Sequence, residues 1–121
     1  MPVRTWQLRV KDMLAAAERI LALMSGKSLH DLEEDVSLLE RVLFNFIILG
    51  EAANHIPEDV QGEHPEIPWK DVTGMRNVIA HGYFDVKITT VWGAITDDLP
   101  LLIPELERML SDGTLFDGAA G

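Results

Sequence analysis

The chain has 121 residues, which suits a single domain, and its 47% apolar and 25% charged residues are typical of a globular protein. A formal net charge of −10 argues against non-specific coating of nucleic acid, so any RNA site must be local. The absence of cysteine excludes disulfides, thiolate metal sites and a cysteine nucleophile, and indicates a reducing, cytoplasmic location. The start lacks a signal-like apolar segment and no apolar run can span a bilayer, so we expect no membrane association.

Apolar residues spaced by three and four predict a first amphipathic helix from Trp6 to Met24, ended by Gly26. The only basic cluster lies at the start of this helix and is expected to be a solvated face: Arg4, Arg9 and Lys11. Ser28 and Asp31 resemble a capping pair, and they predict a second helix that runs to about Ile56.

The second helix carries a segment, Val42 to Leu49, that is apolar nearly all round except for Asn45. Two faces of this segment must therefore be covered. One interpretation places the bundle core on one face and a partner subunit on the other; the alternative is deep burial within a monomer. Gly50 in mid-helix indicates a close helix approach.

The second half of the chain begins with a loop, Pro57 to Pro68, which can hold one short helical turn. A third helix is predicted from Pro68 to the terminating Gly82. A fourth apolar pattern follows from Ile88 to Leu110 and contains Pro100 and Pro104, where we expect a kink or a break.

These elements predict an all-α protein, a four- to five-helix up-and-down bundle in one domain over residues 1–113. Residues 114–121 have too little apolar surface to bury and are expected to form a flexible tail.

The stretch GMRNVIAHGYF, residues 74–84, covers the end of the third helix and the residues after it, and combines an arginine, an asparagine, a histidine and a tyrosine. Histidine carries protons near neutral pH and arginine is a permanent cation that matches phosphate oxygens. RNA supplies its own nucleophile, the 2′-hydroxyl, so His81 moving a proton and Arg76 stabilising charge can cleave it without a metal or cofactor.

Helix geometry supports this pairing only in part, because five residues place Arg76 and His81 roughly 140° apart around an ideal helix. Asn77 and His81 are four residues apart on one face, so Asn77 can orient the imidazole by a hydrogen bond. Gly82 allows the backbone to turn after His81.

The spacing Arg76, Asn77, His81, Tyr83 resembles the R-x-x-x-x-H-x-Y motif of HepT-like toxins in the HEPN superfamily. The blocks LGEAA from Leu49, IPWKDVTGMRNVIAHGYF from Ile67 and VWGAITDDLPLL from Val91 are also similar to that family, in the same order.

This resemblance implies a homodimer whose arginine–histidine motifs meet in a cleft between subunits. It also implies a metal-independent endoribonuclease toxin that cleaves RNA, with transfer RNA as one candidate substrate. The partner would be a minimal nucleotidyltransferase antitoxin that transfers adenylate onto Tyr83.

Simpler roles exist for several of these residues. His81 can be a helix-capping group, Asn77 can bond the backbone, and Tyr83 can be a packing aromatic. Glu51 and His55 are too few ligands for a metal, so a polar contact between Glu51 and the third helix is expected. The three tryptophans are expected to pack in the core or an interface rather than stack on bases: Trp6, Trp69 and Trp92.

Two functions are consistent with the motif. One is an RNA-cleaving toxin that depends on Arg76 and His81; the other is a non-catalytic helical adaptor for a nucleotidyltransferase, which would tolerate their loss.

Overall fold

Helices account for the regular structure of the chain in the computed structural model, which describes the backbone of residues 5–120 and the side chains of residues 5–111. No strand occurs between residues 5 and 120, which confirms the all-α prediction. In chain order the helices are α1 Trp6–Met24, α2 Leu29–Glu34, α3 Val36–Asn54, α4 Glu58–Glu63, α5 Trp69–His81, α6 Ile88–Gly93 and α7 Leu99–Ala120.

The residues predicted to end the first helix and to begin the second do so, and a further helix boundary occurs at Asp35. Gly26 follows α1 in the left-handed region, with φ of 73°. Ser28 and Asp31 form a complete capping box at α2. The predicted second helix is divided, because Asp35 adopts an extended conformation and its carboxylate accepts the Leu38 N–H at 3.0 Å. Asp35 thus ends α2 and caps α3.

The core is built around α3, which packs against α1 on one side and α5 on the other, while α1 also packs against α7. Most of the buried side chains come from these helices, and they include Met13, Ile20, Val42, Ile79 and Leu106. Trp6, Trp69 and Trp92 are partly buried against this core, as expected. The arrangement places α1, α3 and α5 side by side.

The connection between α3 and α5 contains the single short helix that was expected, α4. Pro68 is the N-cap of α5, one residue earlier than a first helical position, and Gly82 is its C-cap. A 3₁₀ turn, Tyr83–Asp85, follows at once. The motif therefore spans the end of α5 and the turn after it.

The last helical segment does not break at its prolines. A π-helical turn, Ala94–Asp98, joins α6 to α7, and the Leu99 N–H donates to the Ala94 carbonyl five residues back. This shift of hydrogen-bond register lies just before Pro100, and Pro104 sits inside α7. Of the two expected outcomes, a kink or a break, the break does not occur, because the π turn absorbs the irregularity and the helix continues.

The end of the chain is helical to Ala120, within the stretch predicted to be a flexible tail. Gly121 and the side chains of residues 112–121 lie outside the described part, so the division of the chain at residue 113 stays a prediction. Within residues 5–120, no helix is both long and apolar enough to cross a bilayer.

Candidate active site

Gly50 brings α3 into direct contact with α5 at Arg76. A Cβ atom placed on Gly50 would overlap the Cβ of Arg76 and lie 3.0 Å from the Val72 carbonyl oxygen. The Arg76 Cβ is fixed to the backbone, so it cannot move aside as the tip of a long side chain would. The close approach expected at Gly50 is confirmed, and its partner is the arginine of the motif.

Glu51, the next residue, provides the polar contact with α5 that the sequence predicts. Its Oε2 lies 3.2 Å from Nε of Arg76. Nε is buried and the two atoms do not meet hydrogen-bond geometry, so the contact is an ion pair. Both side chains are partly exposed, and solvent therefore screens the attraction. The pair fixes the direction of the guanidinium more than it stabilises the fold.

Asn77 contacts Arg76 rather than His81. Its Oδ1 accepts a hydrogen bond from Arg76 Nη1 at 3.0 Å. Among the described residues Asn77 and His81 share no hydrogen bond, so the predicted role of Asn77 in orienting the imidazole is not seen. The carboxylate of Glu51 and the amide of Asn77 together hold the guanidinium of Arg76.

His81 is the last residue of α5, and its side chain is exposed. Within the described part of the chain, the imidazole of His81 forms no hydrogen bond or ion pair, either with Arg76 or with another residue. Arg76 reaches toward α3 while His81 lies at the exposed helix end. One chain thus presents the two groups separately, in keeping with their angular separation on the helix.

Tyr83 lies in the 3₁₀ turn after His81 and borders a groove on α3 that is also lined by Arg41, Phe44 and Ile47. Its ring contacts that of Phe84 edge-on, with centroids 5.4 Å apart. Phe44 is 61% exposed and Phe84 is 96% exposed. We call Phe44, Ile47, Tyr83 and Phe84 the outer apolar patch. Tyr83 is accessible within it, at 41% exposure.

Glu51 and His55 contact each other along α3. The Nδ1 of His55 donates to the Glu51 backbone carbonyl at 2.8 Å, and the Glu51 carboxylate is 4.0 Å from the ring. No group of three or more histidine or carboxylate side chains in the described part of the chain is placed to bind a metal.

Arg19, for which the sequence predicts no role, lies in a groove that also includes Glu51. The Nε of Arg19 donates to Oδ1 of Asn45 at 2.8 Å. The available signal was Asn45 itself, the one polar residue in the apolar segment of α3.

Comparison with known proteins places these features in a family. A family model described as "Ribonuclease HepT-like" matches residues 13–109. The protein named "Putative RNase TTE0752" of Caldanaerobacter subterraneus subsp. tengcongensis is 29% identical over 103 residues, or 85% of this chain and 88% of the relative. "Putative RNase MJ0125" of Methanocaldococcus jannaschii is 28% identical over 112 residues, or 93% of this chain and 97% of the relative.

A third relative, "Probable ribonuclease HepT" of Thermococcus cleftensis, is 39% identical over 62 residues, or 51% of this chain and 56% of the relative. No solved structure matches the chain. Because the family model spans four fifths of the sequence, from within α1 to the middle of α7, and contains the whole motif, the chain belongs to the ribonuclease HepT-like family.

Proposed function

We propose that this HepT-like ribonuclease is a metal-independent endoribonuclease toxin of a toxin–antitoxin pair, located in the cytoplasm. The observation that carries the proposal is that Glu51, Asn77 and the close approach at Gly50 hold Arg76 in place, five residues before the exposed His81 in the same helix. A guanidinium held in this way is prepared to bind a phosphate.

The reaction uses the RNA's own 2′-hydroxyl. His81 accepts the hydroxyl proton while the 2′-oxygen bonds to phosphorus, and the bond to the 5′-oxygen of the next nucleotide breaks. The leaving oxygen takes up the proton that His81 accepted, so the imidazole returns to its neutral form and the products are a 2′,3′-cyclic phosphate and a 5′-hydroxyl. Arg76 stabilises the negative charge that grows on the phosphate oxygens. Each step uses side chains of this protein and the substrate alone.

The active unit in this proposal is a homodimer. Within one chain Arg76 and His81 make no contact, so a cleft between two subunits can combine the arginine of one with the histidine of the other. The outer apolar patch supports such an interface, because α3 buries Val42 and Leu49 yet leaves Phe44 largely exposed. Exposed aromatic side chains such as Phe44 and Phe84 are typical of a surface that is covered in an assembly.

Tyr83 is the proposed control point. In the reaction with a minimal nucleotidyltransferase antitoxin, the Tyr83 hydroxyl attacks the α-phosphorus of ATP, loses its proton and releases pyrophosphate. The accessible ring in the turn after His81 supports this assignment. The added adenylate would place a bulky anion near Arg76 and occupy the phosphate site.

The direct test measures cleavage of RNA by the purified chain in the presence of EDTA. We expect cleavage to persist, to leave cyclic phosphate ends and to be absent on a substrate whose 2′-hydroxyls are replaced by hydrogen. Cleavage of the deoxy substrate, or its loss in EDTA, would contradict the mechanism. No cleavage of any RNA would favour the alternative, a helical adaptor for the nucleotidyltransferase.

A further inference from the structure

Asn45 is the only polar side chain that is buried in the described part of the chain, at 7% exposure. Burial of an amide inside an apolar helix is unfavourable unless its donors and acceptors are satisfied. Its Nδ2 donates to the Arg41 carbonyl at 2.8 Å, and its Oδ1 accepts from Nε of Arg19 at 2.8 Å. The Asn45 amide is thus held by a backbone carbonyl of its own helix, and its Oδ1 binds an arginine of α1.

Arg19 has no carboxylate partner among the described side chains, although the chain has 20 acidic residues. Arg76 and Arg108 differ from it, because they pair with Glu51 and Glu105. Arg19 is exposed, so only its Nε is bound while the outer part of the guanidinium faces solvent. An anchored guanidinium with a free edge is well suited to bind a phosphate oxygen pair.

The groove that contains Arg19 is connected to the motif. It runs between α1 and α3, and its lining includes Arg9, Ile47 and Glu51. Glu51 is the ion-pair partner of Arg76, and Ile47 also lines the groove that Tyr83 borders. Asp12 lies in the groove as well and takes part in an interaction of its own. A strand bound at Arg76 can therefore extend across α3 to Arg19.

We propose that Arg19 binds a backbone phosphate of single-stranded RNA next to the cleavage site, and that buried Asn45 positions it for this contact. The inference rests on the proposed ribonuclease function and adds a substrate subsite to it. Phosphate contacts of this kind fix the register of the strand without reading its bases. In a chain with net charge −10, a local cation of this type offsets the repulsion of RNA.

The test measures binding of a single-stranded oligonucleotide in which every 2′-hydroxyl is methylated, so that it binds but cannot be cleaved. Its Kd is measured against salt concentration for the intact chain, Arg19→Ala and Arg108→Ala. Arg19→Ala should weaken binding and lower the slope of log affinity against log salt by about 0.7, the value for one phosphate contact on a single strand. Arg108→Ala changes the net charge equally but leaves the groove intact, and it should change neither.

A second variant separates positioning from charge. Asn45→Leu keeps the cation of Arg19 but removes its acceptor, so binding should weaken while circular dichroism stays unchanged. In cleavage assays Arg19→Ala should raise KM and retain kcat. An unchanged salt slope in Arg19→Ala would overturn this inference but not the proposed function. Dissociation of the subunits by Arg19→Ala would also overturn it, because Arg19 would then be a contact between subunits. Failure of the intact chain to bind would overturn the proposed function as well.

Discussion

Glu51 of α3 and Arg76 of α5 form the ion pair that joins the middle of the bundle to the motif, with Oε2 and Nε 3.2 Å apart. The pair lies directly beside Gly50, where the two helices touch. The two neighbouring residues thus have linked roles: Gly50 allows the helices to approach at Arg76, and Glu51 directs the guanidinium of that arginine.

The first prediction concerns this carboxylate. Glu51→Gln keeps the side-chain shape but removes the charge that directs Arg76, so we expect kcat for RNA cleavage to fall roughly tenfold through lost positioning. KM should not rise, since the change removes a negative charge near the substrate phosphate. Stability measured by urea unfolding should change by less than about 1 kcal/mol, as for other partly exposed ion pairs.

A matched control for Glu51 exists on α7. Glu105→Gln breaks the ion pair of Glu105 with Arg108, whose atoms are 2.7 Å apart, and leaves the motif untouched. It should retain full cleavage. If Glu51→Gln cleaves as well as Glu105→Gln does, Glu51 has no positioning role.

The second prediction concerns Gly50. In Gly50→Ala the new methyl group would collide with the Arg76 Cβ and the Val72 carbonyl, so α3 and α5 must move apart. Overpacking outweighs the gain in helix propensity, and the free energy of unfolding should fall by about 1–2 kcal/mol. Gly74→Ala is the control, because a Cβ at Gly74 meets nothing within 4 Å. That variant should be stabilised, and equal effects of the two would contradict the close approach.

The third prediction concerns the outer apolar patch. Phe44→Arg places a charge where a second subunit is proposed to pack, so sedimentation should show a monomer that no longer cleaves RNA. Leu101→Arg is the control, since Leu101 is 74% exposed on α7 but does not belong to the patch. It should remain a dimer, and a stable monomer for the unmodified chain would remove the interface altogether.

Subunit mixing tests the shared cleft itself. Arg76→Ala and His81→Ala chains should each be inactive, but a mixed dimer has one intact site if each site combines residues of both subunits. Random mixing should then restore about a quarter of full activity, because half of the dimers are mixed and each has one of two sites. Absence of any recovery, with mixed dimers confirmed by mass spectrometry, would place each site within one chain.

The fourth prediction concerns Tyr83. Tyr83→Phe keeps the ring and its contact with Phe84 but lacks the acceptor oxygen, so it should cleave RNA and escape silencing by the nucleotidyltransferase and ATP. Intact mass should show added adenylate on the unmodified chain only. Equal adenylation and silencing of both chains would move the modified residue elsewhere.

The sequence predicted the features that depend on local chemistry. Gly26 and the Ser28–Asp31 capping box end and begin helices through backbone geometry and hydrogen bonds within a few residues, so their patterns can be recognised directly. Asp35 also caps a helix through a local hydrogen bond. Its role was not predicted, because the residues around it are all compatible with one continuous helix.

Relationships between distant residues were harder to predict. Asn45 stood out as polar in an apolar segment, yet its partner Arg19 lies 26 residues away and only packing of α1 on α3 brings them together. Helical spacing predicted a contact of Asn77 with His81, but the Oδ1 of Asn77 accepts from the adjacent Arg76, whose Nε pairs with Glu51 of another helix. The π turn before Pro100 was not predicted, because the prolines indicate an irregularity in the helix but not the form that it takes.

The most direct test of the account compares RNA cleavage by the unmodified chain, Arg76→Ala and His81→Ala in EDTA, with Arg108→Ala and His30→Ala as controls. Arg108 and His30 are exposed and lie outside the motif. Loss of the proton carrier or of the phosphate-stabilising cation should reduce kcat/KM by about 10²-fold or more without unfolding the protein, while both controls cleave normally. Full activity in folded Arg76→Ala or His81→Ala protein would contradict the account.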